Sequence, residues 1–121
     1  LQEILLEEYQ EGRTGNKILL EALRKANAEG LKPRIYTHPI GIHGHGSGMM
    51  VGMPEKQEFV PGTGEHPLHA NTVYAMEFSV SGDVAEWGGV EVSMGLEEQA
   101  VFTAAGARFV DGYPRSRYLI R

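Results

Sequence analysis

A glutamate stands inside each of the two most strand-like stretches of this chain, Glu77 in "TVYAMEFSV" and Glu97 in "VEVSMGLEEQAVFT". The first stretch is β-branched and aromatic enough for a buried strand. The second alternates before running apolar, as one bent strand or two strands would. An ionised carboxylate in the middle of an apolar strand is costly unless something pairs with it. For a single glutamate, an arginine partner or a solvated strand face is answer enough. Two of them in one short domain, with a histidine-rich turn upstream, point instead to a shared cation.

That turn is "YTHPIGIHGHGSG", which holds three of the five histidines of the chain between Tyr36 and Gly48. Gly41, Gly44, Gly46 and Gly48 are interleaved with them; they permit positive φ and close backbone approach, and ordinary loop flexibility is the plainer reason for their presence. His38 closes the strand "RIYTH" just before the glycines. The chain has no cysteine, so it can build neither a disulfide framework nor a thiolate metal site, and any metal must be held by His, Asp and Glu. His38, Glu77 and Glu97 are the candidate ligands.

The elements before the turn are helical. "LQEILLEEYQEG" reads as the tail of a helix with Leu5, Leu6 and Tyr9 on one face and its end at Gly12. A second helix starts at the N-cap Thr14. It carries Ile18, Leu19, Ala22, Leu23 and Ala26 at the spacing of an amphipathic stripe and stops at Gly30. Residues 53–71 are loop-like, and the solvated side chains of His66 and His69 belong to that loop. Gly82 with Asp83, and Gly88 with Gly89, mark turns, and the final "RYLIR" reads as an edge strand. The expected class is α+β, helices first and an antiparallel sheet after.

With 121 residues the chain is one domain's worth. Its net charge of −5 and its scattered Lys and Arg argue against nucleic acid as a partner. Its apolar runs are too short to cross a bilayer, and the absence of cysteine fits a reducing cytoplasm. The first residues carry neither an initiator Met nor the basic and apolar regions of a signal peptide. The expectation is a piece of a longer protein.

From about residue 10 onward, three segments in order resemble the methionine aminopeptidase, prolidase and creatinase superfamily, the pita-bread fold. "THPIGIHGH" is similar to its segment in which a ligand His is followed seven residues later by a second active-site His, here His38 and His45. "LHANTVYAMEF" resembles its turn and strand with a ligand glutamate, here Glu77. "LEEQAVFT" resembles its last motif, a ligand glutamate six residues before a threonine, here Glu97 and Thr103. "EGRTGNKILLEAL" is similar to the helix that precedes the His segment.

The resemblance implies a curved antiparallel sheet behind the helices and two adjacent divalent cations (Mn, Co, Zn or Fe), bridged by carboxylates and a water that attacks a peptide bond near the substrate's N-terminus. It implies that His38 and Glu77 ligate one metal, that Glu97 bridges both, and that His45 donates to the scissile carbonyl oxygen. His43 has no part in the carry-over; lining the substrate cleft and supporting the turn are its two readings.

The family's other two ligands are aspartates upstream of the helix. The only aspartates here, Asp83 and Asp111, lie downstream in turn-like contexts. Residues 1–121 are therefore expected to be the C-terminal part of one catalytic domain, to bind divalent metal weakly or not at all alone, to lack peptidase activity alone, and to associate with the absent half or with a second copy. Thr37 and Pro39 flank His38 where the aminopeptidases more often have glycine. Removal of N-terminal Met, cleavage before Pro and dipeptide hydrolysis all stay open, and a Xaa-Pro peptidase acting on a peptide substrate is the nearest class. The alternatives are a metal-free creatinase-like hydrolase using histidine acid–base chemistry, a non-catalytic pita-bread module that binds peptides or proteins, and a plain α+β domain with surface histidines. The joint presence of His38, Glu77 and Glu97 speaks against the first two.

Overall fold

The computed structural model describes residues 1–112. Helix α2 spans Gly15–Ala28 and starts where its sequence says it should: the Thr14 hydroxyl oxygen accepts the Lys17 amide N–H at 3.3 Å, satisfying one orphan donor of the first turn. Ile18, Leu19, Ala22 and Ala26 form its fully buried stripe. Helix α1, Gln2–Glu8, ends before Gly12 because Tyr9 leaves the helix in an extended conformation. That departure sends the Tyr9 ring into the core, edge-on to Tyr74 with centroids 5.4 Å apart.

Behind the helices lies one five-stranded antiparallel sheet, made of β1 (Lys32–Gly41), β2 (Gly44–His45), β3 (Thr72–Val84), β4 (Val90–Thr103) and β5 (Gly106–Phe109) in the spatial order β2-β1-β3-β4-β5. The class is α+β, as expected. Strand side chains alternate between faces. Ile35, Tyr74, Met76, Phe78, Ala100 and Phe102 turn toward the helices and join Leu5, Ile18 and Leu19 in the core. The intervening positions form the opposite face, where the register lines up Tyr36, Glu77 and Glu97 in one row across three strands. No helix among the described residues is long and apolar enough to cross a membrane.

Three expectations need correction or enlargement. Gly82 and Asp83 do not turn; they pair with Val92 and Glu91 inside the long β3–β4 hairpin, where Lys32 bridges Asp83 at 3.5 Å and Glu91 at 2.6 Å. The reversal comes later, through a single 3-10 turn at Ala85–Trp87 and two positive-φ glycines, Gly88 and Gly89. The "VEVSMGLEEQAVFT" stretch is one continuous strand, and the short strands β2 and β5 extend the sheet beyond the sequence expectation. "RYLIR" lies outside the described residues.

Candidate metal centre

The seven-residue spacing of His38 and His45 has a local cause. β1 runs to Gly41, reverses through Ile42 and His43, and returns as β2, pairing Gly41 with Gly44 and Ile40 with His45. His45 therefore sits diagonally across from His38 on the same face, and the two imidazoles stack with centroids 4.0 Å apart and planes 19° from parallel. The return passes so close that a Cβ on Gly41 would come within 2.7 Å of the His45 carbonyl oxygen. Glycine is required there by crowding, which goes beyond loop flexibility.

His38 is buried and its two ring nitrogens are both committed. Nδ1 lies 3.0 Å from the Pro39 carbonyl oxygen, and Nε2 lies 3.1 Å from Glu77 Oε1. A carbonyl can only accept, so Nδ1 carries the proton. A neutral imidazole then turns an Nε2 lone pair toward a carboxylate oxygen, which is also an acceptor. A proton between the two atoms, on either of them, or a cation that both share relieves that clash. An imidazole whose far N–H is tied to a backbone carbonyl is also the usual support of a metal-ligating histidine.

Glu77 is half-buried, and it stands directly opposite the exposed Glu97 on β4. Like charges in opposite positions of an antiparallel pair destabilise it. Neither carboxylate has a Lys or Arg partner among the described residues. Glu77 keeps 38% of its side-chain surface exposed and Glu97 is exposed, so the cost expected of a carboxylate inside an apolar strand is reduced at Glu77 and absent at Glu97. Glu97 belongs to the site through register. Burial, followed by the charges of Glu77 and Glu55, holds the Tyr36 phenol above its usual pKa, so it stays a neutral hydroxyl beside the two carboxylates.

The strand carrying His38 is pinned from the core side. The buried hydroxyls of Tyr9 and Thr37 are 2.8 Å apart, and Thr37 also exchanges backbone hydrogen bonds with Val51 at 2.9 and 3.0 Å. This anchor, immediately before His38, was not legible in the sequence because it depends on a contact across 28 residues.

The remaining predicted residues fall elsewhere. His43 is exposed at the tip of the β1–β2 hairpin, next to the almost fully exposed Ile42. His66 and His69 are exposed in the loop, with His69 Nδ1 3.6 Å from Glu11 Oε1. Thr103 ends β4 and closes its turn by accepting the Ala105 amide N–H at 3.2 Å. Among the described residues, no three His, Asp or Glu side chains are gathered tightly enough to hold a metal ion. What is present is a pair in contact, His38 and Glu77, and a third carboxylate one position across the sheet. Their donor types and the tethered Nδ1 fit a divalent cation. Comparison of the chain with protein-family models, with curated proteins and with solved structures yields no match.

Proposed function

We propose that this chain carries one side of a dinuclear metal centre in a pita-bread hydrolase, and that the parent protein cleaves a peptide bond near the N-terminus of its substrate, in the manner of a Xaa-Pro peptidase. The observation that carries the reading is the couple of carboxylates, Glu77 and Glu97, facing each other without a Lys or Arg partner among the described residues, beside an imidazole whose Nε2 meets a carboxylate oxygen. The order of the three sequence motifs supports the same family.

When bound, a pair of divalent cations supplies a water of near-neutral pKa and polarises the scissile carbonyl. His38, Glu77 and Glu97 would be the residues of this chain that hold the cations. The Pro39 carbonyl fixes the His38 tautomer, and the Tyr9–Thr37 hydrogen bond holds the strand beneath it. His45, stacked on His38, donates to the carbonyl oxygen as negative charge develops there, a contribution of about 3 kcal/mol in comparable sites.

Asp83 pairs with Lys32 at the far end of β3, about 20 Å along the strand from Glu77, so it is no substitute for a missing ligand. The remaining ligands come from outside this chain in the proposal. The exposed Val90, Met94 and Leu96 of β4 support association with the complementary half or with a second copy. The cysteine-free composition supports a cytoplasmic setting.

A metal-free, creatinase-like hydrolase is the second reading, favoured by the direct His38–Glu77 contact. A melting experiment separates the two. Mn²⁺ at tenfold over its Kd is expected to raise the melting temperature by about 5 °C, and Glu77→Gln is expected to abolish that increment. A Glu77→Gln effect that is the same with Mn²⁺ and with chelator contradicts the metal reading.

A further inference from the structure

We propose that two copies of this chain join edge to edge through β4, antiparallel, with the twofold axis at Ser93. The β1 edge of the sheet is closed residue by residue. Pro33 has no N–H, and the Gln57 carboxamide accepts the Ile35 N–H at 2.8 Å and donates to the Ile35 carbonyl at 2.9 Å. Thr37 exchanges hydrogen bonds with Val51, and the Pro39 carbonyl accepts the Gly46 N–H at 2.6 Å. Closures of this kind keep a sheet edge from pairing with another chain.

The β4 edge has no such closure over most of its length. β5 covers Ala100–Thr103, and the Val110 N–H reaches the Gln99 carbonyl at 2.8 Å. From Val90 to Glu97, no strand among the described residues pairs with the second side of β4. The run contains no proline, and its pairing with β3 is unbroken, so no bulge turns the edge away. Backbone groups alternate in direction along a strand. The Gln99 carbonyl therefore fixes the rest: those of Glu91, Ser93, Gly95 and Glu97 point to the open side.

The side chains identify the occupant as a second copy. Val90, Val92, Met94 and Leu96 share the face that, farther along the strand, packs on the helices, and Val90, Met94 and Leu96 are exposed. The opposite face at this end is charged, with Lys32 bridging Asp83 and Glu91. The four apolar residues are symmetric about Ser93, so one antiparallel register pairs them all: Val90 with Leu96 of the second copy, and Val92 with Met94. In that register the outward backbone groups of the two Ser93 residues meet in a hydrogen-bonded pair. Glu91 stands against Gly95 and Glu97 against Gly89, so no carboxylate faces a carboxylate. With Met94 on the axis instead, Glu91 would meet Glu97 of the second copy, a like-charge pair that destabilises. Pairing about Ser93 merges the two five-stranded sheets into one, with a continuous apolar stripe on one face.

Strand addition of this kind needs no metal, so the test is run in chelator and stands apart from the hydrolytic reading. Sedimentation equilibrium of the 121-residue chain is expected to show a dimer that forms with rising concentration. Hydrogen exchange at the Ser93 and Gly95 amides is expected to slow over the same range. Ser93→Pro removes two hydrogen bonds at the axis and is expected to weaken the dimer about 30-fold. Proline is tolerated where an edge-strand N–H points outward, and unchanged Leu19 and Met76 signals show that the core is intact. Because the chain has no cysteine, Ser93→Cys places a single thiol on each side of the axis. The Cα spacing of a hydrogen-bonded pair, about 5.5 Å, is within disulfide reach, so oxidation is expected to give a covalent dimer. Glu91→Cys faces Gly95 and is expected to give none. A monomer at every concentration, or a dimer that Ser93→Pro leaves unchanged, overturns the inference. So does amide protection independent of concentration, which would place a segment of the same chain on the edge, and so does cross-linking of Glu91→Cys as readily as Ser93→Cys.

Discussion

Glu97→Gln is expected to lower the Mn²⁺- or Co²⁺-dependent hydrolysis of an Ala-Pro peptide by about 100-fold or more in a chain long enough to complete the site. The substitution leaves volume and strand pairing as they are and removes one negative charge from the row that Glu97 shares with Glu77. With one charge gone the electrostatic strain between the two strands falls, so the variant is expected to be at least as stable as the parent without metal. Loss of activity with retained stability is the signature of a ligand. Equal loss of both would make Glu97 a structural residue. In the 121-residue chain alone, no metal-dependent rate is expected, and such a rate would show that the ligands present here suffice.

The second large effect lies far from the site. Glu8, the last residue of α1, is buried and pairs with Arg13 and with Lys25 Nζ at 2.7 Å. Burial alone would push its carboxyl pKa up. The Lys25 and Arg13 charges and hydrogen bonds outweigh burial and hold it below the ordinary carboxylate value. A depressed folded-state pKa means stability that is fully present above the ordinary value of about 4.3 and is lost as pH falls through the folded value. Removing one partner of a buried pair costs about 3–5 kcal/mol when the other is stranded. Arg13 and Lys25 keep contact with water, so Glu8→Gln is expected to cost about 2 kcal/mol at neutral pH. Urea unfolding at pH 7 and pH 3 checks both parts: the variant's deficit should shrink at the lower pH, and a deficit independent of pH would contradict the assigned charge pair.

The helices and the two long strands were legible because their signals are local. Thr14 caps, the Ile18–Ala26 stripe repeats at helical spacing, and "TVYAMEFSV" is rich in β-branched and aromatic residues. Gly82 and Asp83 are turn formers taken by themselves, and the partner strand decides what they do. Cross-strand pairing with Val92 and Glu91, and the Lys32 bridge, keep them extended. Strand β5 is four residues long and pairs only with the end of β4, so it carries no periodicity of its own.

The site shows the same division. His38 and Glu77 stood out as an imidazole at a strand end and a charge in an apolar run. That Glu97 lies directly opposite Glu77 follows from inter-strand register, which no single strand's sequence contains. The Tyr9–Thr37 anchor joins two residues from different elements and has no sequence signature at all.

His38, Glu77 and Glu97 are proposed to act together on one divalent cation. Paramagnetic broadening by Mn²⁺ tests this in an isotope-labelled chain long enough to complete the site, with the side chains of His38, His43, His45, His66 and His69 and of the glutamates observed. For a cation shared by these residues, the expectation is that the His38 ring and the Glu77 and Glu97 carboxylate signals broaden first and together, and that His38→Ala abolishes the effect at both glutamates. Broadening that begins at His66 and His69, or that leaves Glu97 untouched while His38 disappears, would contradict it.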